Sequence, residues 1–282
     1  MADNLEHLKD WIGKTESTDD VATAWPVAAL GATFDRKDPE PAQGDPIPPG
    51  WHWLYFLEAK PASELGPDGH PKRGGFLPPV PLPRRMWAGG RIEFRQPLRV
   101  GDALRRDSEI LAVEAKHGKS GTLVFVTVRH TVLARGEIAV VEEHDIVYRE
   151  AAKPGDAAPQ GKAAPATAQW RRELTPDPIL LFRFSALTFN GHRIHYDIDY
   201  VKREEHYPGL IVHGPMQTLL MLDLCRRSDE RMVRKLDYRA LHPVFHGERM
   251  TVNGNLAADR SKVDLWTANG AGSYAMTGTA SF

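Results

Sequence analysis

Two stretches in the first half of the chain alternate β-branched or aromatic residues with polar ones. They cover residues 123–132 and 137–148, and a turn that contains glycine separates them. This pattern predicts an antiparallel hairpin. Residues 262–268 and 273–282 are arranged in the same way around a second glycine turn, so a second hairpin is predicted at the C-terminus.

Two segments have the apolar content of buried helices. The first covers residues 21–30 and is weakened by Pro26, and the second covers residues 215–226 with an apolar stripe at helical spacing. Gly214 and Pro215 mark the start of the second helix, because proline fits the first helical position. Unpaired N–H groups at such a start can bind an anionic or polarised oxygen. One helix and several antiparallel strands in each part predict an α+β fold, with each sheet wrapped about a helix.

A linker is predicted at residues 151–169, which are rich in Ala, Pro and Gly and hold no large apolar residue. It separates a part of residues 1–150 from a part of residues 170–282, each of ordinary domain size. Both parts contain proline, three residues, glycine and a carboxylate, at 97–102 and at 243–248. This repeat suggests an internal duplication, although the pattern is also common in turns that lead into strands.

Composition excludes several classes of protein. The 282 residues include 36 Lys and Arg against 37 Asp and Glu, so no phosphate-binding excess of basic residues is available for a nucleic acid. The single cysteine, Cys225, allows neither an internal disulfide nor a cysteine-based zinc site. A charged N-terminus and apolar runs too short for a bilayer predict a cytoplasmic protein that has no membrane contact.

The densest cluster of polar residues in an apolar setting lies at residues 184–197. It contains Asn190, His192 and His195, and His213 follows just before the predicted helix start. Histidine is the side chain best suited to move protons near neutral pH, although any one of these could be a structural histidine. The His192-x-x-His195 spacing resembles part of a metal site, but no Cys or Glu lies at the expected distance, so no metal is predicted.

These residues resemble the MaoC-like hotdog family of hydratases and dehydratases. Asn190-Gly-His-Arg-Ile-His195 and Gly209-Leu-Ile-Val-His-Gly214 are similar to its catalytic motif, in the branch of mesaconyl-C4-CoA and itaconyl-CoA hydratases and mitochondrial 3-hydroxyacyl thioester dehydratases. In the first part, Asp68-Gly-His-Pro71 and the run from Phe76 to Gly90 resemble the degenerate N-terminal half of that branch. The resemblance covers nearly the whole chain except the linker.

The resemblance implies a double hotdog fold with one active site, which lies in the C-terminal half. His195 matches the catalytic histidine, and the N–H of Gly214 matches the donor to the thioester oxygen. The family's aspartate falls on Asn190, whose amide cannot act as a base and would instead orient the water. His192 lies where the family has an asparagine, and it would either steer His195 or simply pack.

The first part is expected to supply the wall of the substrate pocket. Trp87 and Gly89 would line an acyl tunnel, although the proline-rich run before them could equally be a loop that covers an edge strand. A substrate with a free carboxylate would need an arginine, for which Arg84, Arg85 and Arg193 are the candidates. His213 is also expected to contact the substrate.

The sequence therefore predicts a hydro-lyase that acts on an acyl-CoA and needs no cofactor beyond the coenzyme A of its substrate. The favoured substrate is a short branched dicarboxylic enoyl-CoA, itaconyl-CoA or mesaconyl-C4-CoA, which would be converted to citramalyl-CoA. One alternative is a 3-hydroxyacyl-ACP or -CoA dehydratase of fatty-acid metabolism, and another is a non-catalytic acyl-CoA-binding protein. The subunits could pair as a homodimer.

Overall fold

The computed structural model describes residues 5–118, 121–151 and 161–282. Its strands are β1 (Thr15–Val21), β2 (Arg84–Phe94), β3 (Ala103–Gly118), β4 (Gly121–Ala134), β5 (Glu137–Arg149), β6 (Trp170–Leu174), β7 (Lys235–Ala240), β8 (Met250–Leu256), β9 (Lys262–Ala268) and β10 (Tyr274–Ser281). Its α-helices are α1 (Ala24–Thr33), α2 (Pro178–Leu187), α3 (Ile198–Arg203) and α4 (Gly214–Ser228). Both predicted hairpins are present, as β4–β5 and β9–β10.

The strands form one antiparallel sheet in the order β1-β3-β4-β5-β2-β7-β10-β9-β8-β6. The first five strands and the last five follow the same order from the outer edge of each half, and the two halves meet where β2 pairs with β7. The repeated Pro-x-x-x-Gly patterns precede β3 and β8, which occupy equivalent places in the two halves. The duplication suggested by the sequence is therefore visible in the topology.

The C-terminal half is built around α4. Residues 216–225 of this helix are all buried, and the helix packs against β6, β8, β9 and β10. Leu219 and Leu220 have no exposed surface, as expected for an apolar stripe that faces a sheet. The helix begins one residue before and ends two residues after the predicted segment 215–226.

The N-terminal half differs from the expected sheet wrapped about a helix. Its helix α1 packs against α2 of the other half and against the short turn Trp51–Leu54. Part of the face of β3, β4 and β5 is covered instead by the proline-rich segment, in which Val80 is buried and Phe76, Leu77 and Leu82 pack alongside. A large cavity opens along the same face of these strands.

Several elements were not predicted from the sequence. A short 3-10 turn (Glu6–Trp11) forms at the N-terminus, and the polar segment that follows is the edge strand β1. Helices α2 and α3 were also missed. Residues 152–160 of the predicted linker lie outside the described residues, while Lys162 and Ala164 bond to the β9–β10 turn region. The predicted division at 151–169 thus stays a prediction. No helix in the described parts of the chain is long and apolar enough to cross a bilayer.

Candidate active site

The polar motif forms a tight turn between α2 and α3. The side-chain oxygen of Asn190 accepts a hydrogen bond from the backbone N–H of His192 at 3.0 Å. Because that oxygen is occupied, the NH₂ group of Asn190 is the part of the amide that can act on a ligand. Asn190 lines the large cavity, as do His192 and His195.

His195 is held with one ring nitrogen directed into the cavity. Its Nδ1 lies 2.7 Å from the carbonyl oxygen of Ile211, which can only accept, so Nδ1 carries the proton and Nε2 has a free lone pair. The ring is buried, and this burial lowers the pKa of His195 to about 4. At neutral pH the side chain is therefore an uncharged base.

The N-terminus of α4 lies beside this base. Gly214 is the first residue of α4, so its N–H has no acceptor within the helix, and it lines the cavity. The ring of His213, the residue directly before Gly214, stacks on His195 with centroids 3.6 Å apart. A Cβ on Gly214 would lie 3.2 Å from the side chain of Trp87, so glycine allows this strand residue of the N-terminal half to approach the helix end.

His213 does not occupy the substrate-contacting place expected from the sequence. It is fully buried and lies outside the cavity lining, behind His195. Its Nε2 is 2.8 Å from Ser185 Oγ, and burial holds its pKa well below the usual value. The physical reason is the turn into α4, which directs the ring of the N-cap residue inward. Its ring therefore packs against that of His195 instead of facing the cavity.

A second pair of polar side chains comes from the N-terminal half. Asp68 Oδ2 lies 3.0 Å from His70 Nδ1, and the ring centroid of His70 is 4.0 Å from that of His192. Asp68, His70 and His192 place potential ligand atoms within 4.8 Å of one another, so among the described residues this cluster could hold a metal ion. Asp68 already accepts hydrogen bonds from the ring and the backbone N–H of His70, and the predicted metal-free site stays a prediction.

The loop that carries Asp68 and His70 is fixed to the catalytic motif by its backbone. Arg193 donates its backbone N–H to the carbonyl of Asp68 at 2.9 Å. Gly69, at φ +88°, lies so close to Gly191 that a Cβ would overlap its carbonyl oxygen. The Asp68-Gly-His-Pro71 motif therefore serves to join the two halves at the site.

The three candidate arginines have different partners. Arg84 forms an ion pair with Glu205 at 2.8 Å and also bonds to the hydroxyl of Tyr207. Arg193 pairs with Asp197 and lies outside the cavity lining, contrary to its expected place near the substrate. Arg85 lines the cavity and has no ion pair with any described carboxylate.

The cavity has a volume of about 1610 Å³ and draws its walls from both halves. The predicted site residues that line it are Asn190, His192, His195, Gly214, Trp87, Arg84 and Arg85. Gly89 does not line the cavity, because its Cα faces the backbone of Tyr238 on β7, where a Cβ would lie only 2.5 Å from the carbonyl oxygen. Gly89 thus allows the two halves of the sheet to pair rather than lining an acyl tunnel.

Sequence reasoning missed a buried polar group on the N-terminal wall of the cavity. Glu142 accepts hydrogen bonds from His52 Nε2 and Trp53 Nε1, both at 2.9 Å. Burial raises the pKa of Glu142, but the hydrogen bond from His52 and the electrostatic influence of His52, His130 and His144 outweigh this and lower the pKa to about 2. Burial lowers the pKa of the nearby His144 to about 4. His52 and Trp53 precede Glu142 by 90 and 89 residues, so only the packing of the Trp51–Leu54 turn against β5 brings them together.

Comparisons with known proteins identify the family of this chain. A family model described as hydroxyacyl-thioester dehydratase type 2 matches residues 50–246. Mesaconyl-C(4)-CoA hydratase from Chloroflexus aurantiacus is 47% identical over 236 residues, which cover 83% of this chain and 84% of that protein. The mitochondrial hydroxyacyl-thioester dehydratase type 2 from Schizosaccharomyces pombe is 28% identical over 249 residues, which cover 78% of this chain and 82% of that protein.

The fold is also found in a solved structure. A Mycobacterium tuberculosis protein described as having a double hotdog fold superposes with a TM-score of 0.58 at 14% identity, over 96% of each chain. At this identity the likeness concerns the fold alone. Together with the duplicated strand order, it confirms the predicted double hotdog.

Proposed function

The chain belongs to the hydroxyacyl-thioester dehydratase type 2 family, and we propose that it adds water to the double bond of an enoyl-CoA thioester, or removes it in the reverse direction. The proposal depends above all on one observation. A neutral imidazole nitrogen of His195 and the free N–H of Gly214 face the same cavity from adjoining positions.

The chemistry follows from these groups. The N–H of Gly214 donates to the thioester carbonyl oxygen and stabilises the negative charge that develops there when water attacks. His195 Nε2 removes a proton from the water as its oxygen bonds to the β-carbon, and the electrons of the double bond move toward the α-carbon. The protonated His195 then gives the proton to the α-carbon, so one water is added and the imidazole is neutral again.

Asn190 transfers no proton in this scheme, although it lies where the family has an acid–base aspartate. Its NH₂ donates a hydrogen bond to the oxygen of the attacking water and so directs the lone pair of that water toward the β-carbon. His195 therefore performs both proton transfers. His70 and His192 are themselves uncharged at neutral pH, because burial lowers the pKa of each.

We favour mesaconyl-C4-CoA as substrate and citramalyl-CoA as product, because the chain is similar to a mesaconyl-C(4)-CoA hydratase over most of its length. In this thioester the double bond is conjugated with the carbonyl that Gly214 would polarise. In itaconyl-CoA with its thioester on the same carboxyl, the double bond is one carbon farther away and gains less from that polarisation. The itaconyl ester is therefore expected to react more slowly.

A 3-hydroxyacyl thioester dehydratase is the second candidate, and it is supported by the family model and by the fission yeast relative. The two candidates differ in the acyl group, since a fatty-acid enzyme needs an apolar channel and no partner for a carboxylate. A non-catalytic acyl-CoA-binding protein would bind the same thioesters without turnover. A homodimer stays a prediction.

The test is a substrate screen with the purified full chain. We expect hydration of mesaconyl-C4-CoA, followed as loss of the conjugated enoyl-thioester absorbance and as a mass gain of one water. Crotonyl-CoA, longer trans-2-enoyl-CoAs and itaconyl-CoA are compared at equal enzyme concentration. Faster turnover of long enoyl chains would favour the fatty-acid candidate, and binding without hydration of any of these substrates would contradict the proposal.

A further inference from the structure

Arg85 lies on the cavity face of β2, close to the proposed oxyanion donor. It is two residues before Trp87, so the two side chains point to the same side of the strand, with their Cα atoms about 7 Å apart. The Trp87 side chain contacts Gly214 at the start of α4, and both Trp87 and Arg85 line the cavity. Arg85 is therefore near the place where the thioester carbonyl would bind.

The other charged groups around Arg85 are already paired. Arg84 is bonded to Glu205, and Arg73 donates to the backbone carbonyls of the proline-rich segment. Asp68 feels the charge of Arg85, but it accepts bonds from both the ring and the backbone N–H of His70. No carboxylate of the described residues forms an ion pair with Arg85.

The remaining buried acid is too far along the sheet to neutralise Arg85. The cross-strand partner of Arg85 is Tyr148, and Glu142 lies six residues before Tyr148 on β5, about 20 Å away. The hydroxyl of Tyr148 is buried, and the guanidinium of Arg85 lies within hydrogen-bonding reach of it. One end of the cavity thus holds a guanidinium that has a neutral hydroxyl beside it and no carboxylate partner among the described residues.

The guanidinium faces the catalytic cluster. After burial, the charge of Arg85 is among the causes that lower the pKa values of His70 and His192. Both histidines lie on the motif side of the cavity. The positive charge is therefore directed at the space between β2 and the turn that carries His195.

We propose that Arg85 forms a carboxylate-binding subsite for the distal carboxylate of the acyl group. This inference rests on the proposed hydratase function and names its substrate class, a short dicarboxylic enoyl thioester. In such a C4 thioester the carboxylate carbon lies about 4 Å from the carbonyl carbon. The Cα of Arg85 is about 7 Å from that of Trp87, the strand residue beside Gly214. If the thioester carbonyl binds at Gly214, the arginine side chain can therefore reach a carboxylate about 4 Å away from that carbonyl.

The pairing supplies selectivity as well as affinity. A guanidinium binds a carboxylate with two parallel hydrogen bonds, and the Tyr148 hydroxyl can add a third. An acyl group with a methyl in that place would displace water from the guanidinium and would offer it no hydrogen-bond acceptor in return. The coenzyme phosphates cannot take this role, because the pantetheine arm separates them from the thioester.

The experiment compares two substrates that differ only at this position. Mesaconyl-C4-CoA and 3-methylcrotonyl-CoA share the conjugated double bond and the β-methyl group, but the second has a methyl where the first has the carboxylate. For Arg85→Gln we expect the ratio of their kcat/KM values to fall about 100-fold, and for Arg85→Lys about 10-fold. The control is Arg91→Gln on the same strand, where the arginine pairs with Glu143 and Asp145 on the exposed side, and the ratio should not change.

The outcomes separate this inference from the proposed function. An equal loss for both substrates, or an unchanged ratio, would overturn the subsite while leaving the hydratase in place. A wild-type protein that hydrates crotonyl-CoA or longer enoyl-CoAs but not mesaconyl-C4-CoA would also overturn the subsite. Hydration of none of the enoyl-CoAs in the screen would contradict the proposed function instead.

A measurement on the wild type avoids any dependence on variant folding. Methylsuccinyl-CoA and isovaleryl-CoA are the saturated counterparts of the two substrates and cannot be hydrated. We expect methylsuccinyl-CoA to inhibit at least about 10-fold more tightly. Equal inhibition constants would exclude a carboxylate-binding subsite even if Arg85→Gln did not fold.

Discussion

Replacing His195 by glutamine removes the proposed acid–base group while preserving most of its volume. The amide of glutamine can still donate to the Ile211 carbonyl, which His195 holds at 2.7 Å, so the turn should keep its shape. With a pKa of about 4, nearly every wild-type molecule has a neutral His195 at pH 7, and the variant loses the full contribution of that base. General acid–base catalysis of this kind contributes about 10²- to 10⁴-fold, and we expect kcat to fall by that factor.

The assay is hydration of mesaconyl-C4-CoA by wild type and His195→Gln across a pH series. In the wild type, kcat/KM should fall as the pH drops through about 4, because protonated His195 cannot accept a proton from water. This acid limb should be absent from the residual activity of the variant. His117→Gln is the matched control, since His117 is exposed on β3 and lies outside the cavity lining. Turnover by His195→Gln within threefold of the wild type, with the acid limb intact, would refute the assignment.

Three further predictions concern stability and the contact between the halves. Asp223 is buried and bonds three arginines, so Asp223→Ala should lower the free energy of unfolding in urea by about 3 kcal/mol, and a loss below about 1 kcal/mol would contradict this. Gly69→Ala should reduce kcat/KM, because the new Cβ would overlap the carbonyl oxygen of Gly191. Gly74 also has a positive φ but no such overlap, so Gly74→Ala should reduce kcat/KM less. Equal losses would mean that backbone strain alone causes the effect. His144 has a pKa of about 4 in the folded state against about 6.5 unfolded, so the unfolded chain binds more protons between these values. The free energy of unfolding should therefore fall as the pH drops from 6.5 to 4, by up to about 1.4 kcal/mol per pH unit from this group, whereas His144→Gln should show a shallower fall.

No described helix of the N-terminal half fills the face of its sheet as α4 does in the C-terminal half, and a cavity lies along that face. In the C-terminal half, α4 fills the concave side of the sheet, whereas in the N-terminal half the corresponding face of β3, β4 and β5 is shared by the proline-rich segment and the cavity. The segment therefore covers the face of inner strands and not an edge strand, and its expected role as the wall of an acyl tunnel stays a prediction. Val80 packs on the strands as a structural cover, and Arg84 and Arg85 at its end form part of the cavity wall.

Local patterns were sufficient to predict the hairpins, the α4 helix and the histidine motif. Each depends on residues close in sequence: alternation for the strands, an apolar stripe after Gly214 for α4, and the spacing from Asn190 to His195 for the site. The strand β1 was missed because an edge strand on an exposed part of the sheet buries little, so its sequence needs no apolar alternation.

The sequence by itself determined the hairpins, the α4 helix and the three residues of the motif that face the cavity, because each depends on a short run of neighbouring residues. The double hotdog was implied by the family resemblance that those motifs carry. Only the tertiary structure decided which arginine has no carboxylate partner among the described residues, that His213 packs behind His195, and that His70 and Glu142 belong to the cavity. The physical reason is that ion pairing and burial depend on strand register and on how the two halves pack. Residues more than a hundred positions apart, such as Arg84 and Glu205, become neighbours through that packing alone.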